Sequence, residues 1–207
     1  MLTACYLSLP TMTHYLYLHG FQSGPQSLKA RETQAYLHAI APEASFSSPQ
    51  LSPYPAQAIA QVEALIDSIK QPLVLIGSSL GGYYATCLAE RFGLPAVLIN
   101  PAIRPEADLA RFMGPLHNPY TGEHYTLGPQ HMDELIALRP ARLHAANYWL
   151  VLGTADEVLD WREAVRHYAG ARTTVLNGDD HRLQGWPQCL PGLLGVAGKL
   201  AQRQAGI

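Results

Sequence analysis

Leu73-Val74-Leu75-Ile76-Gly77-Ser78-Ser79-Leu80-Gly81-Gly82-Tyr83-Tyr84-Ala85 is the stretch that decides the fold. An apolar run ends in G-x-S-x-G, and residues able to continue as a helix follow at once. This is the pattern of a nucleophile elbow. A buried parallel strand must stop and a helix must start with almost no loop between them. The serine at the corner takes a strained backbone conformation, so the residues two positions away on either side must be small. Gly77 and Gly81 meet that need, and Ser79 Oγ is pushed out above the sheet beside the N-terminus of the new helix. With Gly and Ser each near 7% of ordinary sequence, three fixed positions match by chance about once in 3,000 windows. The motif alone therefore leaves room for an ordinary glycine-rich strand-to-helix turn that binds a phosphate. The strand pattern before Gly77 and the helix pattern after Leu80 favour the elbow.

Working outward, strand-like and helix-like runs alternate. Tyr15–Leu18, Ser45–Ser48, Leu73–Ile76, Ala96–Ile99, Tyr148–Leu152 and Thr173–Leu176 read as strands. Helices are expected over 26–40, 55–70, 80–92, 160–168 and about 188–202. In the second of these, Ile59, Val62, Ile66 and Ile69 share one face. Residues 101–147 read as irregular, with helical pieces near 106–112 and 130–138. Continuous apolar strands separated by helices imply a parallel sheet covered on both faces. Right-handed crossovers then bring every strand's carboxyl end to one edge, where loops carry the chemistry.

A serine nucleophile needs a base and a group to orient it. In an elbow-bearing sheet the chain order is Ser, then Asp or Glu, then His. Asp156 falls just past the strand Tyr148–Leu152, and His181 falls in the loop after Thr173–Leu176. Glu157, Asp179 and Asp180 are possible stand-ins for the acid. The strand ending at Ile99 is followed by Asn100, which removes the other common place for an orienting carboxylate. The oxyanion hole needs two backbone N–H groups; Leu80 and Phe21 are the candidates. His19 and Gly20 precede Phe21 and, with Tyr83, are expected at the substrate pocket. His19 reads as a brace for its loop, with a second base as the alternative.

Composition excludes several classes. The 207 residues suit one domain with a full core, and 48% are hydrophobic against 14% charged. The formal net charge is -2 with no basic run, which argues against a nucleic-acid partner. No run of about 18 apolar residues suggests a membrane span. Cys5, Cys87 and Cys189 are odd in number and far apart, so they read as free thiols in a reducing compartment, and a cytoplasmic location is expected. His117, His124 and His131 recur at intervals of seven without an H-E-x-x-H or a placed acid, so no metal is expected. Nor is there a G-x-G-x-x-G or a G-x-x-x-x-G-K-[ST], so no cofactor is expected. Leu2-Thr3-Ala4-Cys5 looks like a lipoprotein box but lacks a charged and an apolar region before it. Residues 1–13 are expected to be a disordered extension, with Met12 as an alternative start, and residues 14–207 a single domain.

Taken together, several stretches resemble the small YqiA-like esterases of the α/β-hydrolase superfamily. The resemblance runs from about Tyr15 to the C-terminal helix. It rests on Tyr17-Leu18-His19-Gly20-Phe21 with Ser23, Pro25, Ser27 and Lys29-Ala30, and on Ile76 to Thr86. Leu94 to Val97, Asn100-Pro101-Ala102 with Arg104-Pro105, Asn118 to Gly122 and Gly153 to Asp160 extend it. After His181 the chain departs from the family pattern: Arg182 and Leu183 replace a small residue and an aromatic. The resemblance implies a Ser79, Asp156, His181 triad that hydrolyses a small-molecule acyl ester or thioester. The expected architecture is a minimal three-layer α/β-hydrolase fold, with a six-stranded, mostly parallel sheet and a small cap over about 101–143. A thioesterase acting on acyl-CoA would need cations at the pocket mouth, for which Arg104, Arg111 and Arg139 are candidates. A non-catalytic binding protein is the third reading, weakened because all three triad positions are filled.

Overall fold

A computed structural model of the chain describes residues 12–204. Of the expected extension over residues 1–13, residues 1–11 lie outside the described residues. Residue 13 belongs to the fold: Thr13 is buried, and its carbonyl accepts from Ser45 N at 3.1 Å.

Among the described residues, eight strands and seven α-helices alternate along most of the chain. They are β1 (His14–Leu18), α1 (Leu28–Ile40), β2 (Ser45–Ser47), α2 (Pro55–Ser68), β3 (Leu73–Ser78), α3 (Leu80–Phe92) and β4 (Ala96–Ile99). Then come α4 (Pro105–Leu109), the strands β5 (Gly114–His117) and β6 (His124–Leu127), and α5 (Pro129–Leu138). The chain closes with β7 (Tyr148–Gly153), α6 (Trp161–His167), β8 (Arg172–Leu176) and α7 (Trp186–Gln204). Six strands form one parallel sheet in the order β2-β1-β3-β4-β7-β8.

Period-two alternation sorts the sheet's side chains into two cores. Leu16, Leu18, Leu75, Leu98, Leu150 and Leu152 pack on one face with residues of α2, α3 and α6. Tyr15, Tyr17, Val74, Ile76, Val97, Ile99, Trp149 and Val151 pack on the other with residues of α1 and α7. Each fully buried aliphatic side chain contributes roughly 1.5–3 kcal/mol, so the central strands are fixed in register from both sides.

That register aligns the strand ends. Leu18 pairs with Gly77, Ser78 with Ile99, and Gly153 with Leu176. The loops after β1, β3, β4, β7 and β8 therefore gather at one edge. The cap stands over this edge. It holds α4, the antiparallel hairpin β5–β6 and α5. Leu135 is fully buried, and Tyr125, Leu127, Met132 and Leu138 are nearly so. The cap's α5 rests on the start of α2: Tyr54 stacks on His131 at 4.7 Å, and Ala56 N donates to Glu134 Oε2 at 3.0 Å. The hairpin lies within the segment read as irregular. It is closed by Asn118, whose Oδ1 accepts from Tyr120 N at 2.8 Å, and by Gly122 at φ 73. Among the described residues, no helix is long and apolar enough to cross a membrane.

Candidate active site

β3 stops at Ser78 and α3 starts at Leu80, leaving Ser79 alone at the corner with φ 55 and ψ -120. A side chain rarely tolerates that conformation, which costs on the order of 1–3 kcal/mol. The surroundings hold it in place. Ser79 N donates to Ile99 O at 3.0 Å, and Ser79 O accepts from Gly82 N at 2.9 Å and Ala102 N at 3.1 Å. The flanking glycines permit the turn sterically: a Cβ on Gly77 would lie 2.3 Å from Gly81 O, and one on Gly81 would lie 2.0 Å from Leu18 O.

Ser79 Oγ lies 3.2 Å from His181 Nε2, and His181 Nδ1 lies 2.8 Å from Asp156 Oδ2. Asp156 accepts at Oδ2, so Nδ1 carries the proton and Nε2 is the acceptor facing the serine hydroxyl. The Asp156 side chain is 1% exposed, and its Oδ1 accepts from Val158 N and Leu159 N, both at 2.8 Å. These bonds spend one carboxylate oxygen on the backbone and aim the other at the imidazole. The acid and base loops are laced together. Ala155 N donates to Asp179 O at 2.9 Å, and Gly178 N to Thr154 Oγ1 at 2.8 Å.

The other acids have separate work. Glu157 Oε2 accepts from the backbone N of His181 at 3.0 Å. Asp179 Oδ2 accepts from Gly185 N at 2.9 Å, and Asp180 Oδ2 from Gln184 Nε2 at 2.8 Å. None of the three meets the imidazole.

Asn100 is a residue whose part the sequence reading missed. It is buried at φ 40, just after β4. Its Oδ1 accepts from Gly153 N at 2.8 Å, and its Nδ2 donates to the carbonyls of Asp180 at 3.1 Å and His181 at 3.2 Å. One amide thus ties the end of the acid's strand to the base's loop. The available signal was a polar residue directly after a buried strand, where its side chain must find partners.

Phe21 lies in the loop after β1, and Leu80 is the first residue of α3. Among the described residues, neither backbone N–H is spent on another hydrogen bond. Gly20 lies against Ser79: a Cβ there would lie 3.2 Å from Ser79 Cβ and 3.7 Å from Ser79 Oγ. His19 is buried. Its Nδ1 donates to Gly20 O at 2.9 Å, and its Nε2 accepts from Leu51 N at 3.1 Å. Burial lowers its pKa, with the Gly20 carbonyl pulling the other way. With both nitrogens occupied, His19 braces the loop. It lines a narrow cleft of about 30 Å³ that does not include Ser79.

Tyr83 is a correction. Its ring is buried and its hydroxyl donates to Leu135 O at 2.5 Å, joining α3 to the cap, so it lines neither cavity at Ser79. One turn of helix carries its side chain to the face under α5. The cap arginines are largely engaged. Arg104 pairs with Glu163 at 3.5 Å and Arg139 with Glu106 at 2.6 Å, while Arg111 lies 4.9 Å over the Phe112 ring. Among the described residues, no three His, Cys, Asp or Glu side chains form a set of metal ligands.

Two cavities meet at Ser79. One of about 240 Å³ is lined by Phe21, Leu80, Ala102, Leu109, Phe112 and Leu159 along with Ser79 and His181. The other, of about 300 Å³, extends from Ser79 and His181 toward Lys29 and Arg182.

A six-stranded parallel sheet, an elbow serine at the end of its third strand and an acid and histidine from the last two strand ends are the marks of the α/β-hydrolase fold. Within that class, residues 14–196 match the model of the uncharacterised protein family UPF0227, and the chain belongs to that family, the one its YqiA-like motifs point to. Solved structures share the fold. Alpha/beta hydrolase domain-containing protein 10 from mouse is 15% identical with a TM-score of 0.67, covering 92% of this chain and 90% of its own. Est1E from Butyrivibrio proteoclasticus is 13% identical with a TM-score of 0.65, covering 96% and 90%. The esterase domain from a Rhodothermus marinus protein is 17% identical with a TM-score of 0.65, covering 95% and 89%.

Proposed function

We propose that the protein is a serine hydrolase that cleaves carboxylic acyl esters through a covalent acyl-enzyme. The observation that carries this reading is the unbroken chain from Ser79 Oγ through both His181 nitrogens to a buried carboxylate, at 3.2 and 2.8 Å. His181 Nε2 takes the Ser79 proton as Oγ attacks the carbonyl carbon. The tetrahedral oxyanion is met by the N–H groups of Phe21 and Leu80. Its collapse breaks the bond to the leaving oxygen, which takes the proton from Nε2. Water then attacks the acyl-enzyme with His181 again as base, releasing the acid and restoring Ser79. Asp156 holds the imidazole in one tautomer and offsets its transient charge.

The apolar cavity fits a hydrocarbon acyl chain, and its size favours short ones. Among proteins of the same fold, the esterase domain of the Rhodothermus marinus protein and a metagenomic pair described as lipolytic enzymes point the same way. An acyl thioester would pass through the same steps. Cys87 and Cys189 are buried free thiols, which suits a reducing compartment such as the cytoplasm.

The test is a panel of 4-nitrophenyl esters from acetyl to dodecanoyl, with the matching acyl-CoAs, run on wild type and Ser79→Ala. Hydrolysis of short esters that is lost in Ser79→Ala and indifferent to EDTA is expected. Activity that survives Ser79→Ala, or needs a divalent metal, defeats the reading. Faster turnover of acyl-CoAs than of any ester would move it to thioesters.

A further inference from the structure

Ser79 stands between two cavities of opposite character, and this asymmetry assigns the two halves of the substrate. Among the described residues, the first cavity is lined mainly by apolar side chains, and its charged groups beside His181 are Asp108 and Arg111, whose guanidinium is laid over Phe112. The second cavity carries the hydroxyl-bearing residues Tyr17, Ser23, Ser27 and Tyr120 and the cations Lys29 and Arg182, and no Asp or Glu lines it.

Its polar groups are only partly used within the protein. Lys29 Nζ gives one hydrogen to Arg182 O at 2.7 Å, leaving two donors. Arg182 forms no ion pair among the described residues. Ser27 stands at the N-cap of α1, yet its side chain makes no capping bond, and its buried Oγ has the Tyr17 hydroxyl as its polar neighbour. Leu28 and Lys29, the first residues of α1, line the same cavity, so the helix start adds partial positive charge there. Asp180, Glu32 and Asp156 exert an electrostatic pull on Lys29 from outside the cavity wall. The Asp180 Oδ2 is held by Gln184.

We propose that this cavity is the leaving-group subsite and that it takes an alcohol bearing a carboxylate or phosphate close to the ester oxygen, held by Lys29, Arg182 and Ser27. The inference rests on the reading of Ser79 as nucleophile. When the tetrahedral adduct collapses, the bond between acyl carbon and alcohol oxygen breaks. The oxygen keeps the electron pair and takes the proton from His181 Nε2. The product leaves as a hydroxy acid or a phosphorylated alcohol from the cavity that His181 itself lines.

The test compares three butanoate esters that differ only in the alcohol: glycolate, 2-hydroxyethyl phosphate and neutral glycolamide. We expect kcat/KM for at least one charged ester to exceed that for the glycolamide ester by about tenfold or more, the scale of one charge-assisted hydrogen bond. The better of the two charged esters identifies the anion. The charged-to-neutral ratio should fall by about tenfold in Arg182→Gln and in Lys29→Gln. It should shrink as salt is raised and stay put in Arg166→Gln, a surface control on α6. If the glycolamide ester is cleaved as well as both charged ones, or the ratio survives both substitutions, the subsite assignment is wrong. Loss of glycolamide-ester cleavage in Ser79→Ala would then leave the hydrolase reading intact. If no ester is cleaved at all, both fall together.

Discussion

Asp156 is oriented by its backbone neighbours, while Glu157 supports the base from the other side, and the two should respond differently to amide substitution. Asp156→Asn can present an N–H to the imidazole and so select the wrong tautomer. The corresponding change in serine proteases costs on the order of 10⁴ in kcat, and a loss of that order is expected here. Glu157→Gln keeps an oxygen for the His181 backbone N–H, so a loss of less than about tenfold is expected. Steady-state rates on a short ester decide the matter; if Glu157→Gln is the crippled variant, the acid has been misassigned. Asn100→Ala removes three bonds at once and frees both the acid's strand end and the base's loop. A misplacement of about 1 Å can cost on the order of 10²-fold, so kcat should drop by that order with KM little changed. A change in KM alone would place Asn100 outside the positioning of the triad. Lys29 has a charge that depends on pH. Burial pushes its pKa down to about 8 and nearby Arg182 adds to the lowering, against Asp180, Glu32 and Asp156, which pull upward. Its positive charge is therefore present at pH 7 and lost as pH rises through about 8. The preference for an anionic leaving group should weaken between pH 7 and 9 in the wild type and hold level in Lys29→Arg. A preference that rises over that range would contradict the assignment.

The elbow and the β1–α1 loop meet at two glycines that do different work. At Gly81 a Cβ would lie 2.0 Å from the Leu18 carbonyl, backbone against backbone, so Gly81→Ala must pry α3 from β1. Overpacking of this kind costs typically 1–3 kcal/mol and sometimes more, and the urea midpoint should fall accordingly. At Gly20 a Cβ meets Ser79 Cβ at 3.2 Å and the Ser78 carbonyl at 3.3 Å, which a small shift relieves. Gly20→Ala should keep most of its stability and lose activity instead, because the new methyl crowds the nucleophile. If Gly20→Ala proves fully active, the loop does not sit over the reacting carbon. Elements of this kind were legible in the sequence because each has one dominant cause. The inner strands β1, β3, β4 and β7 are largely continuous apolar runs, α2 shows its buried face at three- and four-residue spacing, and the elbow needs glycine at two fixed places. The β5–β6 hairpin was not legible. Its strands are four residues each, only Tyr125 and Leu127 of the second are buried, and Pro115 interrupts the first. Its order comes from packing: Asn118 Nδ2 reaches Ser23 O at 3.4 Å and Gln22 Nε2 reaches His117 O at 3.4 Å, contacts far apart in sequence.

For the molecule as a whole, parallel order made the site foreseeable. Strand ends that must share one edge bring Ser79, Asp156 and His181 together, although 102 positions separate the first from the last. What the order of elements could not supply was the direction of each side chain. Tyr83 and Tyr84 are adjacent on a helix whose partner was unknown, and the cap took Tyr83 for its own contact. The same burial that stiffens the structure makes it sensitive to acid. His14, His19 and His167 all have pKa values lowered by burial. The unfolded chain then binds more protons than the folded one below about pH 6.5, so stability is complete above that value and falls as pH drops through it. His19 is the costliest to protonate, since its Nε2 would lose the bond from Leu51 N. The urea midpoint should decline between pH 7.5 and 5.5, and less steeply in His19→Gln, which starts lower. A flat wild-type profile would show that these histidines take up protons as readily folded as unfolded.

One serine, at one strained corner, should form the covalent intermediate. Treating the protein with a fluorophosphonate and mapping the adduct by mass spectrometry tests it directly. A single stoichiometric adduct on Ser79 is expected, absent in Ser79→Ala and greatly slowed in His181→Ala. An adduct on Ser78, or labelling that is indifferent to His181, would contradict it.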